Sequence, residues 1–359
     1  MILVDFSHLS SRMINVSVQE AKKSGFVDHY TEDGKIDVSC YKNFYLHLLF
    51  SNLGSIKKDF SKTYGEEIIL CLDGKNYWRK EMFPSYKSGR SKSREKITYD
   101  YKQYIELMND TLQVIDEYFP FKLVKQERAE GDDVMAIIAK NTPSEKVLIV
   151  TEDKDMKQLL KYPNVDMYRP ILKQFVNITK EELVAWKATH IVGGDAGDDV
   201  PTIKTDTMFT ENFIKYLKQN EVYETDVHNF NKLSISKKLY ESFDVMNKKG
   251  KKDIFKDALF GVVGVEKFCK DLRNNLKEKP IYWHNYKRNK KLVMFEFIPA
   301  EIQELIMKSY EEAQYHYNPI KISSYFDAHN LRKLKEDVQM FYAEKNKITA
   351  TKGMFDFWS

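Results

Sequence analysis

Short apolar runs alternate with segments of helical spacing through the first 200 residues. Residues 2–4, Ile68–Leu72 and Val147–Val150 are continuous aliphatic runs of the length and β-branching typical of buried parallel strands. Weaker runs at 121–124 and 165–168 extend the pattern. Apolar residues return at helical spacing, and predict helices, over 41–53, 104–118, 134–140, 183–191 and 299–314. The alternation predicts an α/β fold with a mostly parallel sheet.

Acidic residues follow these strands where each one ends. Because the carboxyl ends of parallel strands meet at one edge of a sheet, we expect these side chains to face one crevice. A single aspartate at a strand end is more often a cap or turn former, but three strand ends in register favour a metal site. Oxygen ligands without nearby His or Cys suit a hard ion such as Mg²⁺ or Mn²⁺. The acidic residues at these positions are Asp5, Asp73, Glu130, Asp132, Asp133, Asp153 and Asp155.

A glycine-rich turn follows the predicted helix 183–191, which Thr179 and Glu182 open as a capping box. The turn spans residues 193–201, and its glycines permit sharp turns and close backbone approach. Asp195 and Asp198 within it add two candidate ligands. The spacing and terminal Glu of an EF-hand calcium loop are absent.

Basic residues concentrate in two regions although the net charge of the chain is only +4. Residues 75–96 hold 8 Lys and Arg against 2 Asp and Glu, and residues 248–291 hold 14 against 5. Each basic region alone is most simply interpreted as a solvated or mobile surface segment. Beside an acidic site, the two regions together favour an enzyme that acts on a polyanion. Residues 75–101 are predicted to form an insertion whose cations hold phosphates and whose aromatic rings stack on bases. The predicted nucleic-acid contacts are Tyr77, Arg79, Lys80, Tyr86, Lys92, Arg94, Lys267 and Lys270.

Length and composition exclude several other classes of protein. The 359 residues form one large domain or two smaller ones, and no apolar run approaches the roughly 20 residues needed to span a membrane. The first residues lack the basic start and cleavage site of a signal peptide, so we expect an intracellular protein. The three cysteines are widely spaced and indicate neither a disulfide framework nor a zinc site.

Several motifs together resemble the flap endonuclease/5′-nuclease family. They cover about the first 205 residues, with a looser likeness at 295–299 and 322–326. The resemblance implies a PIN-like catalytic domain over 1–205, with a helical arch insertion at 75–101. It also implies a smaller, mainly helical DNA-binding domain over 206–345 and a tail over 346–359. The matching segments are Leu3-Val4-Asp5-Phe6-Ser7, Leu70-Cys71-Leu72-Asp73, Tyr77-Trp78-Arg79, Glu130-Gly131-Asp132-Asp133, Thr151-Glu152-Asp153-Lys154-Asp155 and Gly194-Asp195-Ala196-Gly197-Asp198-Asp199.

Carried over onto these positions, the resemblance implies a metal-dependent 5′ to 3′ exonuclease and flap endonuclease. Two Mg²⁺ ions, with Mn²⁺ as a substitute, would catalyse phosphodiester hydrolysis. Lys87 and Arg90 match the arch cations that contact the phosphate, and are the predicted catalytic residues. Asp133 and Asp195 would be outer ligands. The inner metal ligands implied are Asp5, Asp73, Glu130, Asp132, Asp153, Asp155 and Asp198.

The implied biology is removal of RNA primers and adjacent DNA during lagging-strand replication, by a phage protein in the cytoplasm of its bacterial host. The substrates would be RNA–DNA hybrid, double-stranded DNA and 5′-flap DNA. We expect a monomer without membrane contact. Its aromatic tail, with Met354, Phe355, Phe357 and Trp358, resembles peptides that dock on a sliding clamp, and a single-strand DNA-binding protein is a second candidate partner.

The chain departs from the family after Asp199, where Val200-Pro201-Thr202 leads into no glycine-rich helix-hairpin-helix. A potassium-binding hairpin is therefore in doubt, and the lysine-rich region 248–291 is a candidate replacement. Two alternatives stay open. One is a PIN-like ribonuclease acting on single strands, against which the long basic insertion argues. The other is a nucleic-acid-binding scaffold without catalysis, against which the full set of carboxylates argues.

Overall fold

The computed structural model describes residues 1–23, 29–202 and 280–342, and its centre is a six-stranded sheet. The sheet order is β3-β2-β1-β4-β5-β6; the first five strands run parallel, and β6 pairs antiparallel with β5. The strands are β1 (Ile2–Asp5), β2 (Ile68–Leu72), β3 (Lys122–Lys125), β4 (Val147–Val150), β5 (Val165–Arg169) and β6 (Gln174–Phe175). The predicted mostly parallel α/β sheet is confirmed.

The order of the strands creates a switch point beside β1. The chain moves outward from β1 to β2 and β3, then returns to the other side of β1 to form β4. Val4 is paired with Leu70 on one side and with Val150 on the other. Ligands of open α/β sheets bind outside the carboxyl ends of the strands at such a point. The ends of β1 and β4 are therefore where a site is expected.

Helices account for most of the remaining described residues. α2 is longer than the predicted 41–53, because Ile56 and Tyr64 continue its buried face until Gly65 (φ 92°) ends it. The insertion 75–101 contains two short helices, α3 and α4. The helices are α1 (Phe6–Lys23), α2 (Lys42–Tyr64), α3 (Trp78–Met82), α4 (Arg90–Glu95), α5 (Tyr101–Tyr118), α6 (Gly131–Asn141), α7 (Lys180–Gly193), α8 (Pro280–Val293), α9 (Ala300–Glu312), α10 (Pro319–Ala328) and α11 (Arg332–Glu336). Short 3₁₀ helices lie at Val38–Tyr41, Lys154–Lys161, Phe295–Phe297 and Val338–Phe341.

Five fully buried phenylalanines form the centre of the core beside the sheet. The Phe50 ring lies 4.6 Å from Phe119 and 5.5 Å from Phe326, and Phe341 lies 5.3 Å from Phe119 and 6.3 Å from Phe121, between ring centroids. Phe50 and Phe119 are stacked and the other three pairs are edge-to-face; aromatic pairs of both kinds add about 0.5–1.5 kcal/mol each beyond the area they bury. Segments far apart in sequence are thereby tied together.

The described chain divides into two compact units. The first unit, built from residues 1–75, 91–176 and 301–342, contains the sheet and the phenylalanine cluster. The second unit, built from residues 76–90, 177–202 and 280–300, contains α3, α7 and α8. The predicted domain boundaries, after residues 205 and 345, fall outside the described residues, so that division stays a prediction.

Two sequence predictions can be compared with these elements. Thr179 caps α7, and Glu182 completes the predicted capping box. No helix in the described parts of the chain is both long and apolar enough to cross a bilayer. The sequence also favours helices at 211–217 and 265–276, and a plain turn rather than a phosphate-binding hairpin at 261–267. These three segments lie outside the described residues.

Candidate active site

Asp5 ends β1 at the switch point of the first unit. Its Oδ2 accepts a hydrogen bond from Thr151 Oγ1 at 2.9 Å, and its Oδ1 accepts one from the His8 backbone N–H at 3.0 Å. Thr151 directly follows β4, the neighbour of β1 in the sheet. The Asp5 carboxylate is therefore fixed between the ends of two adjacent strands.

Negative charge is concentrated around this carboxylate. Burial raises the pKa of Asp5; hydrogen bonds from His8 and Thr151 oppose the rise, and the nearby Asp73 carboxylate adds to it. Burial likewise raises the pKa of the Cys71 thiol on β2, and the charges of Asp5 and Asp132 add to that effect. Asp5 thus interacts with Asp73, and the charges of Asp5 and Asp132 both act on the Cys71 thiol at this edge of the sheet.

Asp73 is oriented by the start of α6. The Gly131 backbone N–H donates to Asp73 Oδ1 at 2.8 Å, so the carboxylate interacts with the positive end of that helix. A side chain at position 131 would place its Cβ 3.3 Å from Cys71 O and 3.5 Å from Asp73 Oδ1. Glycine at this position lets helix and strand end approach closely.

The other acidic residues at the start of α6 have different surroundings. Glu130 and Asp133 are buried and form a capping box, in which the Glu130 N–H donates to Asp133 Oδ2 at 3.2 Å. Asp132 is half-buried in the first helical turn. The capping box gives Glu130 and Asp133 a structural function beside their predicted ligand role, whereas Asp132 offers a more accessible carboxylate.

The acidic residues after β4 are arranged by the Thr151 hydroxyl and by each other. The Asp153 N–H donates to Thr151 Oγ1 at 3.0 Å, and the Asp155 N–H donates to Asp153 Oδ1 at 2.7 Å, which caps the 3₁₀ helix Lys154–Lys161. Glu152 of the same acidic run turns to Arg169, whose Nε and Nη2 lie 2.9 and 2.8 Å from its Oε2. Glu152 therefore balances the charge of Arg169 within the fold. Sequence spacing alone does not distinguish it from the candidate ligands Asp153 and Asp155.

The donor set of the first unit fits a hard divalent cation. Asp5, Asp73 and Asp132 supply carboxylate oxygens, and a cation would relieve the repulsion between Asp5 and Asp73. Asp153 and Asp155 follow the adjacent strand. Oxygen ligands of this kind suit Mg²⁺ or Mn²⁺.

The second unit holds Asp195 and Asp198 in a closed turn. Asp195 and Val200 exchange two backbone hydrogen bonds of 2.8 Å, and the Gly197 N–H donates to Asp195 Oδ1 at 2.7 Å. The buried Asn289 amide of α8 donates to Ile191 O at 2.9 Å and to Pro201 O at 2.8 Å. Helix α8 thus fixes the turn at both of its ends.

His190 is a residue that sequence reasoning missed. It stacks on Trp186 one turn earlier in α7, with ring centroids 5.0 Å apart, and its Nε2 lies 3.8 Å from Asp195 Oδ2. The spacing of four between the two rings was the available signal. Protonated His190 would stabilise the charge of Asp195.

Lys87 and Arg90, the predicted catalytic cations, lie against Asp198. Lys87 Nζ is 3.4 Å from Asp198 Oδ2, Arg90 Nη2 is 3.2 Å from Oδ1, and the Tyr86 hydroxyl donates to Oδ2 at 2.7 Å. Burial alone would raise the pKa of Asp198, but Lys87, Tyr86 and Arg90 together hold it below its usual value. The structure therefore brings three of the predicted site residues onto one predicted ligand.

Two of the predicted nucleic-acid contacts, Arg79 and Tyr86, are buried. Arg79 is only 3% exposed; its Nε donates to Leu292 O at 2.7 Å, and its guanidinium lies 4.5 Å from the Trp78 ring centroid. Tyr86 is equally buried. In this conformation neither presents a surface to nucleic acid, so their predicted role would require the segment to move.

The remaining predicted contacts are more accessible or lie outside the described structure. Lys80 is exposed with its Nζ 5.7 Å from the half-buried Tyr77 ring, and Arg94 is exposed with its guanidinium 4.9 Å from the Tyr101 ring. The following predicted contacts lie outside the described parts of the structure: the Lys92 side chain, Lys267, Lys270, Met354, Phe355, Phe357 and Trp358.

Two family models match consecutive parts of the chain. The model of the 5′-3′ exonuclease N-terminal resolvase-like domain matches residues 29–188, and that of the T4 RNase H C-terminal region matches residues 266–341. The first match includes the acidic segments around Asp73, Glu130 and Asp153.

Phage nucleases are among the known proteins with similar sequences. Ribonuclease H of Enterobacteria phage T4 is 31% identical over 214 residues, which cover 58% of this chain and 64% of that protein. Exodeoxyribonuclease of Enterobacteria phage T3 is 29% identical over 138 residues, which cover 37% of this chain and 42% of that protein. The matches thus span less than two thirds of the length of these relatives.

A solved structure of a bacteriophage T5 flap endonuclease, with DNA and metal ions, is 17% identical to this chain. The superposition covers 81% of this chain and 98% of that one, with a TM-score of 0.42. The family models match more than half of the chain between them, and the strand-end carboxylates occupy the positions that the sequence motifs predicted. The chain is therefore similar to the 5′-3′ exonuclease N-terminal domain over residues 29–188 and to the T4 RNase H C-terminal region over residues 266–341, and the relatives that it resembles are named as nucleases.

Proposed function

We propose that this protein is a divalent-metal-dependent 5′-nuclease that removes RNA primers and adjacent DNA, and cleaves 5′ flaps, during lagging-strand replication. The observation that carries the proposal is the set of carboxylates at the carboxyl ends of β1, β2 and β4, with Asp5 fixed to Thr151 across the switch point. The match of residues 29–188 to the 5′-3′ exonuclease N-terminal domain supports nucleic acid as the substrate. The two basic regions support a polyanion.

Each group of residues has a distinct chemical task in this proposal. When bound, two Mg²⁺ ions would generate the attacking hydroxide and stabilise the leaving 3′ oxygen. Asp5, Asp73 and Asp132 supply anionic oxygens to hold them, and the N–H of Gly131 keeps Asp73 oriented. Lys87 and Arg90 neutralise a phosphate of the substrate, an effect that amounts to several kcal/mol of transition-state stabilisation.

The proposed setting follows from the resemblance to phage nucleases. The enzyme acts as a monomer on RNA–DNA hybrid, double-stranded DNA and 5′-flap DNA in the cytoplasm of an infected bacterium. The aromatic tail at 354–359 docks on a sliding clamp, and a single-strand DNA-binding protein is the second partner.

The test is cleavage of 5′-labelled duplexes that carry either an RNA 5′ end or a DNA flap, in Mg²⁺, in Mn²⁺ and in EDTA. Wild type is expected to release short 5′ products only with metal. Asp132→Asn is expected to lose cleavage by more than about a thousandfold while it still binds duplex, because it removes a ligand oxygen charge but no basic surface. Asp59→Asn, at an exposed position of α2, is the matched control and should cleave like wild type.

The relative cleavage rates of the RNA-ended and the flap substrates also rank primer removal against flap cleavage. Tight binding without cleavage in either metal would contradict the proposed enzyme and favour the non-catalytic scaffold. Cleavage of single-stranded RNA alone would favour the PIN-like ribonuclease.

A further inference from the structure

The carboxylate of Asp198 is surrounded by groups that would serve equally well to bind a phosphate. A hydroxyl, an ammonium and a guanidinium reach it from one short segment: Tyr86 Oη at 2.7 Å, Lys87 Nζ at 3.4 Å and Arg90 Nη2 at 3.2 Å. Both carboxylate oxygens are engaged. Arginine and lysine bind carboxylates and phosphates with the same charge-assisted hydrogen bonds.

The backbone fixes this segment against the acidic turn. The Lys87 N–H donates to Asp198 O at 2.9 Å, and the Gly89 N–H donates to Asp199 Oδ2 at 2.7 Å. A side chain at position 89 would place its Cβ 2.9 Å from Asp199 Oδ1. The two pieces of chain are therefore fitted to each other closely, and the contact is a built arrangement.

Two residues in this contact adopt left-handed backbone conformations. Lys87 has a φ of 54° and Asp199 a φ of 55°. Each such residue other than glycine is strained by about 1 kcal/mol or more, so the surrounding contacts must hold it in place. The hydrogen bonds that residues 87 and 89 donate to residues 198 and 199 supply that support for both segments. Loss of these bonds would let the strained residues relax.

The surroundings of Lys87 strengthen its electrostatic interactions. The side chain is only 8% exposed, and its Nζ lies 5.1 Å from the Tyr86 ring centroid and 5.7 Å from that of Tyr77. Aromatic faces attract a cation and exclude water, so an anion bound here is poorly screened. An anion that binds at Lys87 must exchange with the carboxylate already present.

We propose that Tyr86, Lys87 and Arg90 form an oxyanion-binding site that Asp198 fills, and that a phosphate of a nucleic acid competes with Asp198 for it. The inference rests on the proposed function for the identity of the substrate. Asp198 is then an internal competitor that keeps the two cations occupied until a substrate phosphate exchanges with it.

The experiment measures binding in EDTA, so that any ligand role of Asp198 toward a metal is removed from the comparison. Fluorescence anisotropy of a labelled 5′-flap duplex is recorded for wild type, Asp198→Asn and Asp199→Asn. Asp198→Asn removes the competing charge and is expected to bind roughly threefold to tenfold more tightly than wild type.

Asp199→Asn is the matched control for charge. It removes one negative charge from the adjacent residue, its amide oxygen can still accept from Gly89, and asparagine tolerates the left-handed φ. Its affinity is expected to stay within about twofold of wild type, since Asp199 accepts from the Gly89 backbone N–H and both cations keep their contacts with Asp198. Equal gains in the two variants, or no gain in Asp198→Asn, would overturn the proposal.

The double variant Asp198→Asn/Lys87→Met assigns the gain to the site. The tighter binding should disappear in it relative to Lys87→Met alone, whereas a gain that persists would place the effect elsewhere. Competition by inorganic phosphate and by 5′-phosphorylated or 5′-hydroxyl oligonucleotides identifies the source of the phosphate. Inorganic phosphate as the sole ligand that gains affinity would refute nucleic acid as the competitor.

A measurement on wild type keeps the proposal testable if Asp198→Asn does not fold. With ¹⁵N-glycine labelling, the Gly89 amide resonance should shift on addition of phosphate-containing oligonucleotide in EDTA, and an unshifted resonance at saturating oligonucleotide would contradict the proposal. Failure of the proposed function shows separately, as absence of Mg²⁺-dependent cleavage by wild type.

Discussion

Gly74 follows Asp73 at the end of β2 and has no room for a side chain. An added Cβ would lie 2.0 Å from Gln126 O and 2.9 Å from Ala129 O, both backbone atoms that cannot rotate away. The Gly74 N–H also donates to Ala129 O at 2.9 Å. This close approach places the segment before Glu130 beside the end of β2, so a single glycine brings two acidic segments together.

Gly74→Ala is expected to destabilise the protein by about 3 kcal/mol or more, because backbone must shift to relieve the overlap. Gly34→Ala is the control: Gly34 has a φ of 71° but no atom within 4 Å of the added Cβ, so only about 1 kcal/mol of backbone strain is expected. Urea unfolding of the two variants measures the difference. Equal losses of stability would show that the overlap at Gly74 relaxes without cost.

At the scale of single residues, sequence reasoning succeeded where chemistry is local. Asp5 and Asp73 were predicted at strand ends because an aliphatic run and the next residue suffice to place them. It could not foresee that Glu152 pairs with Arg169, or that Lys87 is buried against Asp198. Those partners depend on how distant segments pack, which no short pattern encodes. The predicted metal ligands and phosphate contacts stay predictions until cleavage is measured.

Helix α8 shows the same limit at the scale of elements. Its sequence belongs to the lysine-rich region, which was interpreted as a surface for nucleic acid, yet Asn285, Arg288 and Asn289 on it are buried. Arg288 Nη2 donates to Asn289 Oδ1 at 2.5 Å, and Asn289 donates to the two carbonyls that bracket the acidic turn. Buried polar residues at helical spacing resemble a solvated face in sequence. Strands β1 to β5 and helix α7, by contrast, were predicted correctly because aliphatic runs and capping boxes are local signals, whereas the two-residue strand β6 was not predicted.

Asn289→Ala is expected to destabilise the protein by about 2–4 kcal/mol, because it leaves two carbonyls without this donor. Proteolysis within residues 193–201 should accelerate accordingly. Asn141→Ala is the control, since Asn141 is an exposed residue at the end of α6 and its loss should cost less than about 1 kcal/mol. Thermal unfolding and the rate of cleavage in the turn are the measurements. An unchanged cleavage rate in Asn289→Ala would show that α8 does not hold the turn.

At the scale of the whole molecule, the sequence of the aromatic tail predicts a partner protein, a sliding clamp. Deletion of residues 354–359 is expected to leave cleavage of naked DNA unchanged and to reduce it only when a sliding clamp is present. The reason is that terminal aromatic residues remain available for a partner unless the body of the protein buries them. Cleavage assays with and without clamp measure the effect, and Lys352→Ala serves as the control. A lower midpoint of thermal unfolding in the deletion would instead show that the tail belongs to the core.

The phenylalanine cluster has a consequence for how the first unit is made. Phe50 and Phe119 complete their packing only when Phe326 and Phe341 arrive, near the end of the described chain. At synthesis rates of about 5–20 residues per second, the early aromatic residues wait on the order of half a minute for their partners. Native contacts between residues so far apart in the chain also slow folding. The nascent protein therefore passes through a period in which an incomplete aromatic core is exposed to chaperones and to aggregation.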